Sequence, residues 1–319
     1  MTRQNREMSE HERDRGASVR QRLAAIPGVI VLARILKNHL DGIRQRLHLG
    51  SYRIDGVTHL HKNIDESVTY VVDVFEDYFR YGGVEKEAIE GKRVLELGPG
   101  DSLGVALLMA GLGARQVVSI DRFFTHRDPT RERQILARLV DAACPVAKAR
   151  MKGCLDGENR IVGDVIRYIP DLPIETAFEE VGRTRFDYIV SRSVLEHVSD
   201  IDETYASCRT LIEDGGLMIH KVDLSNHSTI ELHPLQFLTY SQRLWGAMSS
   251  NISRVNRARW PQHRVSIERN RFTIERFVAT KLLEIAQVRS IRPRLRSPFR
   301  EMTDEELRIC GFHIACRAV

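Results

Sequence analysis

From Lys92 onwards, short apolar runs alternate with segments whose apolar residues recur at helical spacing. The runs predict five successive strands: Val94–Leu97, Gln116–Ile120, Arg160–Val162, Phe186–Ser191 and Leu217–Val222. The intervening segments predict helices at Ser102–Gly111, at Asp128–Lys148 with an interruption at Pro145, and at Asp202–Glu213. Repeated strand–helix alternation is typical of a parallel sheet with helices on both faces. The predicted fold class is therefore α/β.

The segments that precede and follow this alternation have a different character. Residues 1–62 are basic and weakly patterned, and they predict a helical N-terminal extension with an amphipathic helix at Val29–Leu49. Packing on the core is the default interpretation of that helix, and dimer formation or contact with a membrane are the alternatives. The main domain is expected to span 63–319 and to open with a helix at Asn63–Gly83. Residues 224–271 interrupt the strand–helix alternation and contain both tryptophans, which predicts a cap inserted over the site.

Beyond residue 271 the regular pattern resumes. The sequence predicts a helix at Thr273–Gln287 and a strand at Val288–Ile291. A short helix at Met302–Arg308, capped by Thr303, precedes a last strand at Phe312–Arg317.

The glycine turn after the first predicted strand is the most informative chemical signal. Gly98 and Gly100 allow backbone conformations and close ligand approach that a Cβ would block. Asp121 ends the next strand, where a carboxylate can accept hydrogen bonds from both ribose hydroxyls. Such a unit surrounds an adenosine-type ligand with backbone amides and one acid. A dinucleotide fingerprint would need its third glycine at the position of Leu103, so NAD and FAD are disfavoured.

Two further acids occur near the ends of predicted strands. Glu96 lies in the strand just before the turn, and Asp164 follows the third predicted strand. Asp164 could accept a hydrogen bond from an adenine amino group while Val165 supplies a backbone amide. The carboxyl ends of parallel strands meet at one edge of a sheet, so these side chains are expected to surround one site.

Four segments in order resemble the class I S-adenosylmethionine-dependent methyltransferases. They read Val-Leu-Glu-Leu-Gly-Pro-Gly-Asp-Ser (94–102), Val-Ser-Ile-Asp (118–121), Gly-Asp-Val (163–165) and Phe-Asp-Tyr-Ile-Val-Ser-Arg-Ser-Val-Leu-Glu-His-Val (186–198). The resemblance covers residues 63–223 and continues more loosely towards the C-terminus. It implies a Rossmann-like, seven-stranded, mostly parallel sheet with an antiparallel last strand, and S-adenosylmethionine as the cofactor.

The resemblance also implies roles for individual residues. In that family the glycine turn abuts the methionine end of the cofactor, the acid matching Asp121 holds the ribose, and the acid matching Asp164 lies near adenine. The implied cofactor site comprises Glu96, Gly98, Gly100, Asp121, Arg122, Asp164, Val165 and Ser191. The residues after the fourth strand, Ser191–Ser193 and Glu196-His197, would line the mouth where the methyl group is transferred. The final antiparallel pair would be Val288–Ile291 with Phe312–Arg317.

A serine hydrolase is a minor alternative. Residues 100–104 match Gly-x-Ser-x-Gly, which would make Ser102 a nucleophile. However, only helices are predicted upstream of Val94, and no His-Gly-Gly oxyanion segment precedes the motif. Ser102 is better interpreted as the N-cap of the following helix.

Methyl transfer from a sulfonium is an in-line displacement, in which the protein aligns donor and acceptor and excludes water. An oxygen acceptor also benefits from a general base. His197, after the fourth strand, and His227, beyond the fifth, are the candidate catalytic residues, with Asp223 orienting His227; a role in shaping the pocket is the alternative for His197. A metal held by His220, Asp223 and His227 is a lesser alternative because the spacing matches no closed metal motif, so no metal is predicted.

The net charge of +5 is unevenly distributed. Between Arg243 and Arg300, fourteen Lys and Arg residues stand against three Glu, so the rest of the chain is net acidic. Such a segment attracts anions and predicts a small-molecule acceptor, anionic or glycosylated, against Trp245 or Trp260. Methylation of RNA or protein is the alternative, because arginines interleaved with aromatic residues also suit RNA. A solvated face that offsets the acidic remainder is the purely structural explanation.

The compartment is inferred from what the sequence lacks. The charged N-terminus has no signal-peptide pattern, and no apolar run is long enough to span a bilayer. The five cysteines are scattered without a Cys-x-x-Cys pair and are expected to be reduced thiols. A cytoplasmic location is therefore expected, with peripheral membrane contact left open.

Overall fold

The computed structural model describes residues 27–46, 58–59, 62–123, 127–181, 184–226, 233–249 and 255–319. Within these ranges, seven strands form one sheet in the order β3-β2-β1-β4-β5-β7-β6. They are β1 (Arg93–Leu97), β2 (Gln116–Ile120), β3 (Ile166–Ile169), β4 (Phe186–Arg192), β5 (Ile212–Asp223), β6 (Phe272–Leu282) and β7 (Ile309–Ala318). The first five strands pair in parallel, whereas β7 runs antiparallel to both β5 and β6. The predicted Rossmann-like sheet with an antiparallel last strand is thus confirmed.

Helices cover both faces of this sheet. In the described chain they are α1 (Pro27–Arg46), α2 (Ile64–Gly82), α3 (Gly104–Gly111), α4 (Pro129–Ala142), α5 (Pro145–Gly153), α6 (Ala177–Glu180), α7 (Ile201–Leu211), α8 (Gln242–Met248), α9 (Trp260–Arg269), α10 (Ile285–Ile291) and α11 (Asp304–Arg308). Buried side chains of α2, α3, α4 and α5 form one core with the sheet, and those of α7 and α9 form a second core on the other face. No helix in the described ranges combines the length and the hydropathy needed to cross a membrane.

Side-chain caps account for two helix starts. Asn63 Oδ1 accepts a hydrogen bond from the Glu66 N–H at 2.8 Å, and the Glu66 carboxylate accepts one from the Asn63 N–H, so α2 begins with a capping box. Gly83 ends the same helix with φ 68°, a conformation that favours glycine. Thr303 caps α11 in the same way through Glu306. Helix α3 differs from the prediction because it begins at Gly104 with Leu103, not Ser102, at the N-cap position.

The predicted third strand was wrong by several residues. Residues 160–162 make only an isolated bridge between Ile161 and Leu155, and Val162 is exposed. The strand beside β2 is instead Ile166–Ile169. The shorter apolar run was misleading because Asp156 binds the Arg160 guanidinium and N–H, which closes a local turn rather than a strand.

The last strand at Phe312–Arg317 is confirmed as part of β7, but two predictions between residues 273 and 291 were wrong. The predicted helix at Thr273–Gln287 is the edge strand β6, and the predicted strand at Val288–Ile291 is the end of α10. In β6, buried Phe272 alternates with exposed Thr273, and the pairing with β7 contains bulges that blur the two-residue period. In α10, Val288 and Ile291 are buried three residues apart, which is helical spacing.

A third apolar cluster lies beside the sheet and joins two separate stretches of chain. Its buried members are Leu235, Phe237, Leu238, Tyr240, Trp245, Met248, Val255, Leu283, Val288, Ile291, Leu295, Phe299, Leu307 and Cys310. Part of the predicted cap, 224–271, therefore packs with the connection between β6 and β7. The rest of it, α9, lies in the helix layer against α7 and β6. The domain limits at 62 and 63 stay predictions.

Candidate active site

The glycine turn follows β1 directly, and its two glycines differ in their surroundings. Gly98 and Gly100 have φ of 68° and 70°, in the left-handed region. A Cβ on Gly98 would lie 2.4 Å from Val194 Cγ2, so the end of β4 leaves no room for a side chain there. A Cβ on Gly100 would meet nothing within 4 Å. The turn is therefore packed against β4 at Gly98 and open at Gly100, where a ligand can approach the backbone.

Asp121 faces this turn from the end of β2. Its Oδ1 lies 3.9 Å from the point that a Cβ on Gly98 would occupy, and the residue is buried. The Tyr168 hydroxyl donates to Asp121 Oδ2 at 3.0 Å, and Arg127 Nη2 lies 3.6 Å from the same oxygen. The Arg127 guanidinium stacks 3.8 Å above the Tyr168 ring centre. The carboxylate is thus held at the turn, in a setting suited to accepting hydrogen bonds from a diol.

Glu96 is fully buried beneath the turn, on the face covered by α2. Burial raises its pKa to about 7, while the Ser119 hydroxyl, which donates to Glu96 Oε2 at 2.8 Å, opposes the shift. The Asp121 carboxylate adds to the increase in pKa. At neutral pH this acid is therefore protonated in a large fraction of molecules.

The roles predicted for Asp164 and Val165 were wrong, because both residues precede β3. The Val165 carbonyl accepts from the Val117 N–H at the start of β2, 2.7 Å away, so these residues lie at the amino edge of the sheet. At the carboxyl edge, β3 is followed by Asp171, whose φ is 55°. The Leu172 N–H donates to the Asp121 carbonyl at 2.8 Å. In the sequence, Pro170-Asp171 directly after Ile166–Ile169 indicates that a strand ends at residue 169. The prediction of a strand at residues 160–162 obscured this signal.

Ser191 and Arg122 both form hydrogen bonds with other side chains of the protein. The Ser191 hydroxyl lies 2.7 Å from Nδ1 of His220, and both side chains are fully buried on the α7 face. The side chain predicted to touch the cofactor is thus directed into the core, which corrects that prediction. Arg122 is exposed at the carboxyl edge and donates to the Ser199 hydroxyl at 3.0 Å.

On the other side of the turn, the ends of β4 and β5 place two cations next to each other. Arg192 and Lys221 are partners in the β4–β5 register, and we call them the cation pair. Arg192 donates to Asp77 Oδ2 on α2 at 2.9 Å, and its side chain is 18% exposed. Burial, with the neighbouring Arg192 charge, lowers the pKa of Lys221. An additional negative charge would therefore stabilise the two cations.

His313, from β7, lies next to Lys221 in the sheet register. Its ring stacks on Tyr81 with centroids 3.8 Å apart. Burial lowers the pKa of His313 to about 4, so the ring is neutral at neutral pH even though Asp77 lies 3.8 Å away. The cation pair, and not the neutral His313, therefore supplies the positive charge on this side of the edge.

Glu196 lies between the ends of β4 and β5 and is fully buried. Burial raises its pKa to about 8, and the nearby Asp223 carboxylate adds to the increase. Its side chain accepts from the Asp223 N–H at 3.3 Å, while Oε2 has no hydrogen-bond partner in the described chain. Glu196 therefore holds a proton at neutral pH. In the sequence, only the family resemblance indicates Glu196.

The structure describes one of the two predicted catalytic histidines. His197 is half-buried just after β4, and its backbone N–H donates to the Val194 carbonyl at 2.8 Å. His227 lies outside the described residues. His220 belongs to the buried contact with Ser191, whereas Asp223 binds the Ser225 N–H and hydroxyl. No cluster of three metal-ligating side chains occurs within the described ranges.

Ser102 is buried, and its described partners do not match those of a hydrolase. Its hydroxyl accepts a hydrogen bond from the Gly104 N–H at 3.1 Å. A serine nucleophile needs a base, most often histidine, within hydrogen-bond reach, and this backbone N–H is not one.

A comparison with protein families identifies the fold and the turn as parts of one known domain. The family model described as "Methyltransferase domain" matches residues 75–270, which is more than half of the chain. The chain belongs to this methyltransferase family. It is an S-adenosylmethionine-dependent enzyme, and S-adenosylmethionine is its cofactor. The open approach at Gly100 and the buried carboxylate of Asp121 fit a nucleoside with a cationic methionine end.

Solved structures of methyltransferases resemble the chain at low identity. A Mesorhizobium loti S-adenosylmethionine-dependent methyltransferase has 14% identity and a TM-score of 0.42, over 80% of this chain and 100% of that one. A Streptomyces coelicolor geranyl diphosphate C-methyltransferase has 11% identity and a TM-score of 0.42, over 85% and 90%. The Haemonchus contortus phosphoethanolamine N-methyltransferase 2 has 15% identity and a TM-score of 0.45, over 85% and 61%. No curated protein matches the chain.

Proposed function

We propose that this enzyme methylates an oxygen of a small-molecule acceptor that carries an anionic group. The observation that carries the proposal is the cation pair, Arg192 and Lys221, next to the glycine turn. Two half-buried cations at the mouth of a methyltransferase site suit a carboxylate or phosphate on the acceptor, including one on a glycosylated molecule.

On the cofactor side, Gly98 and Gly100 would bring backbone close to the methionine end, and Asp121 would accept the ribose hydroxyls. Arg122 would lie at the rim, and Asp171 would take the role near adenine that the sequence assigns to Asp164. S-adenosylmethionine supplies a methyl group already activated by the sulfonium. The residues of this chain then need to orient the two substrates and exclude water.

The residues that bind the anionic group of the acceptor would come from β4 and β5, and not from the basic segment between Arg243 and Arg300. Several arginines between Arg243 and Arg300 bind other residues of the protein. Arg259 is fully buried, and Arg289 and Arg292 both bind the Asp304 carboxylate. The charge excess of that segment is therefore partly structural, which weakens the case for RNA as the acceptor.

The proton of the acceptor hydroxyl needs a destination. His197 and His227 remain the proposed general bases, since imidazole titrates in the useful range. Glu196 is protonated at neutral pH and is thus suited to donating a hydrogen bond that orients the acceptor, not to removing a proton.

The test is a transfer assay with methyl-tritiated S-adenosylmethionine. The panel pairs hydroxylated small molecules that carry phosphate or carboxylate with neutral analogues, and it includes total RNA and a protein extract. Label is expected in the anionic small molecules, as ethers that resist mild alkali. Lys221→Met should raise KM for the labelled acceptor by about tenfold, the value of one charge-assisted hydrogen bond.

Lys152→Met makes the same change at an exposed lysine of α5 and should leave KM unchanged. Preferential labelling of neutral analogues, of RNA or of protein would contradict the proposed acceptor class. Equal effects of the two lysine variants would contradict the role of the cation pair.

A further inference from the structure

Helix α1 presents an uncovered apolar stripe. Leu32, Leu36, Leu40 and Ile43 are 59%, 54%, 56% and 51% exposed. They follow one another at intervals of four, four and three residues, which places them on one side of a helix. The remaining large exposed apolar residues of the described chain are mostly valines at scattered positions. A continuous row of this kind indicates an interaction surface.

The other side of α1 is already fixed to the protein. Val31 and Ile35 pack against the third apolar cluster. Asn38 Nδ2 donates to the Ala247 carbonyl at 3.0 Å, and the Arg34 guanidinium lies 5.8 Å from the Trp245 ring centre. Because these contacts hold the helix against α8, the stripe points away from the protein and does not fold back onto it.

The charge of this region selects the partner. Helix α1 contains Arg34, Lys37, Arg44 and Arg46 but only one acid, Asp41. Residues 1–62 contain twelve Lys and Arg residues against six acids. A second copy of the chain docked through this stripe would bring two positive helices together, which is unfavourable. An anionic lipid surface instead attracts the cations and accepts the apolar residues.

We propose that α1 lies in the plane of an anionic lipid bilayer, with Leu32, Leu36, Leu40 and Ile43 inserted at the level of the upper acyl chains. The exposed Lys37 then lies among the headgroups. This membrane contact is peripheral and independent of which acceptor the enzyme methylates. Its strength depends both on buried apolar area and on lipid charge.

The experiment is flotation of the full chain with vesicles of phosphatidylcholine alone, or of phosphatidylcholine and phosphatidylserine in equal parts. Binding is expected only with phosphatidylserine, and added salt should weaken it through screening. The double variant Leu36→Asp/Leu40→Asp should lower the partition coefficient by about tenfold or more, because two inserted side chains become charged. Lys37→Glu should lower it less while leaving the stripe apolar.

Val146→Asp is the matched control, since Val146 is 62% exposed on α5, far from α1 in sequence. It should float like the wild type, and all variants should retain the wild-type affinity for S-adenosylmethionine. Equal flotation of the stripe variant and Val146→Asp, or binding indifferent to phosphatidylserine, would overturn the proposal. A wild-type dimer in light scattering that becomes monomeric in Leu36→Asp/Leu40→Asp would overturn it too, by assigning the stripe to a second copy.

Discussion

The two sides of the glycine turn are built in different ways. The cofactor side takes Gly98, Asp121 and Tyr168 from one continuous stretch of strand–helix units. The acceptor side takes Asp77 from α2, Arg192 and Lys221 from β4 and β5, and His313 from β7 near the end of the chain. Local sequence signals can therefore specify the first side, whereas only tertiary packing assembles the second.

The two sides also differ in charge. The cofactor side presents the Asp121 carboxylate, with Glu96 buried beneath it. The acceptor side presents Arg192 and Lys221, with the Asp77 carboxylate bound to Arg192 and the Asp223 carboxylate near Lys221. A cationic donor on the acidic side and an anionic acceptor on the basic side would each meet the opposite charge. The difference suggests that electrostatics orients the two substrates before the methyl group is transferred.

The largest expected effect concerns Arg259, which joins the end of β5 to the start of β7. Its buried guanidinium donates to the Leu224 carbonyl at 2.6 Å, to the Leu307 carbonyl at 3.0 Å and to the Ile309 carbonyl. Arg259→Met leaves these carbonyls unsatisfied and should lower the free energy of unfolding by about 3 kcal/mol. Urea denaturation measures this loss.

Arg264→Met changes an exposed arginine of α9, the helix that follows Arg259, and serves as the control. Under conditions where Arg259→Met remains folded, its affinity for S-adenosylmethionine should match the wild type, because the cofactor side does not depend on Arg259. Equal stability of the two variants would show that the hydrogen bonds of Arg259 do not stabilise the fold.

The second effect is on cofactor binding. Asp121→Ala should weaken the affinity for S-adenosylmethionine by about 1.5–3 kcal/mol, the value of charged hydrogen bonds to the ribose. Asp164→Ala removes an acid from the opposite edge of the sheet and should change nothing. Calorimetry measures both affinities, and a loss confined to Asp164→Ala would reverse the assignment of the two edges.

The third effect is a pH dependence that originates in Glu196. Its pKa is about 8 in the folded protein against an ordinary 4.5, so the folded state binds the proton more tightly. Stability should therefore fall as pH rises between these two values, by up to about 1.4 kcal/mol per pH unit, and then level off.

Glu196→Gln should remove this part of the slope, whereas Glu268→Gln, at an exposed glutamate, should retain it. Urea denaturation across this pH window measures the difference. Glu96 titrates in the same direction in every variant, so only the change relative to wild type reports on Glu196. Parallel pH profiles for Glu196→Gln and wild type would contradict the burial argument.

The smallest effect tests Asp77, the carboxylate bound to Arg192. Asp77→Asn weakens its bond to Arg192 and should lower the free energy of unfolding by about 1 kcal/mol, since both side chains are only partly exposed. Asp73→Asn, at an exposed position of the same helix, is the control. If the two variants are equally stable, Asp77 does not hold the cation pair in place.

The success of prediction varied along the chain for physical reasons. The helix at Asn63–Gly83, the turn at Gly98 and the strands beside it were predictable, because caps, glycines and buried runs act over a few residues. Asp164 was misplaced because two apolar residues at 161–162 were taken for the strand that forms at Ile166–Ile169. The edge strand β6 resembled a helix because bulges disturb its alternation.

The sequence alone determined the class of sheet, the glycine turn and the acid that faces it, because local backbone preferences and one buried run after another specify them. Tertiary structure decided which carboxyl groups are protonated, as burial sets the pKa values of Glu96 and Glu196. It also decided that Arg192 and Lys221 are neighbours and that Ser191 faces His220. Those properties depend on which strands lie side by side, and strand order is fixed only when the whole core packs.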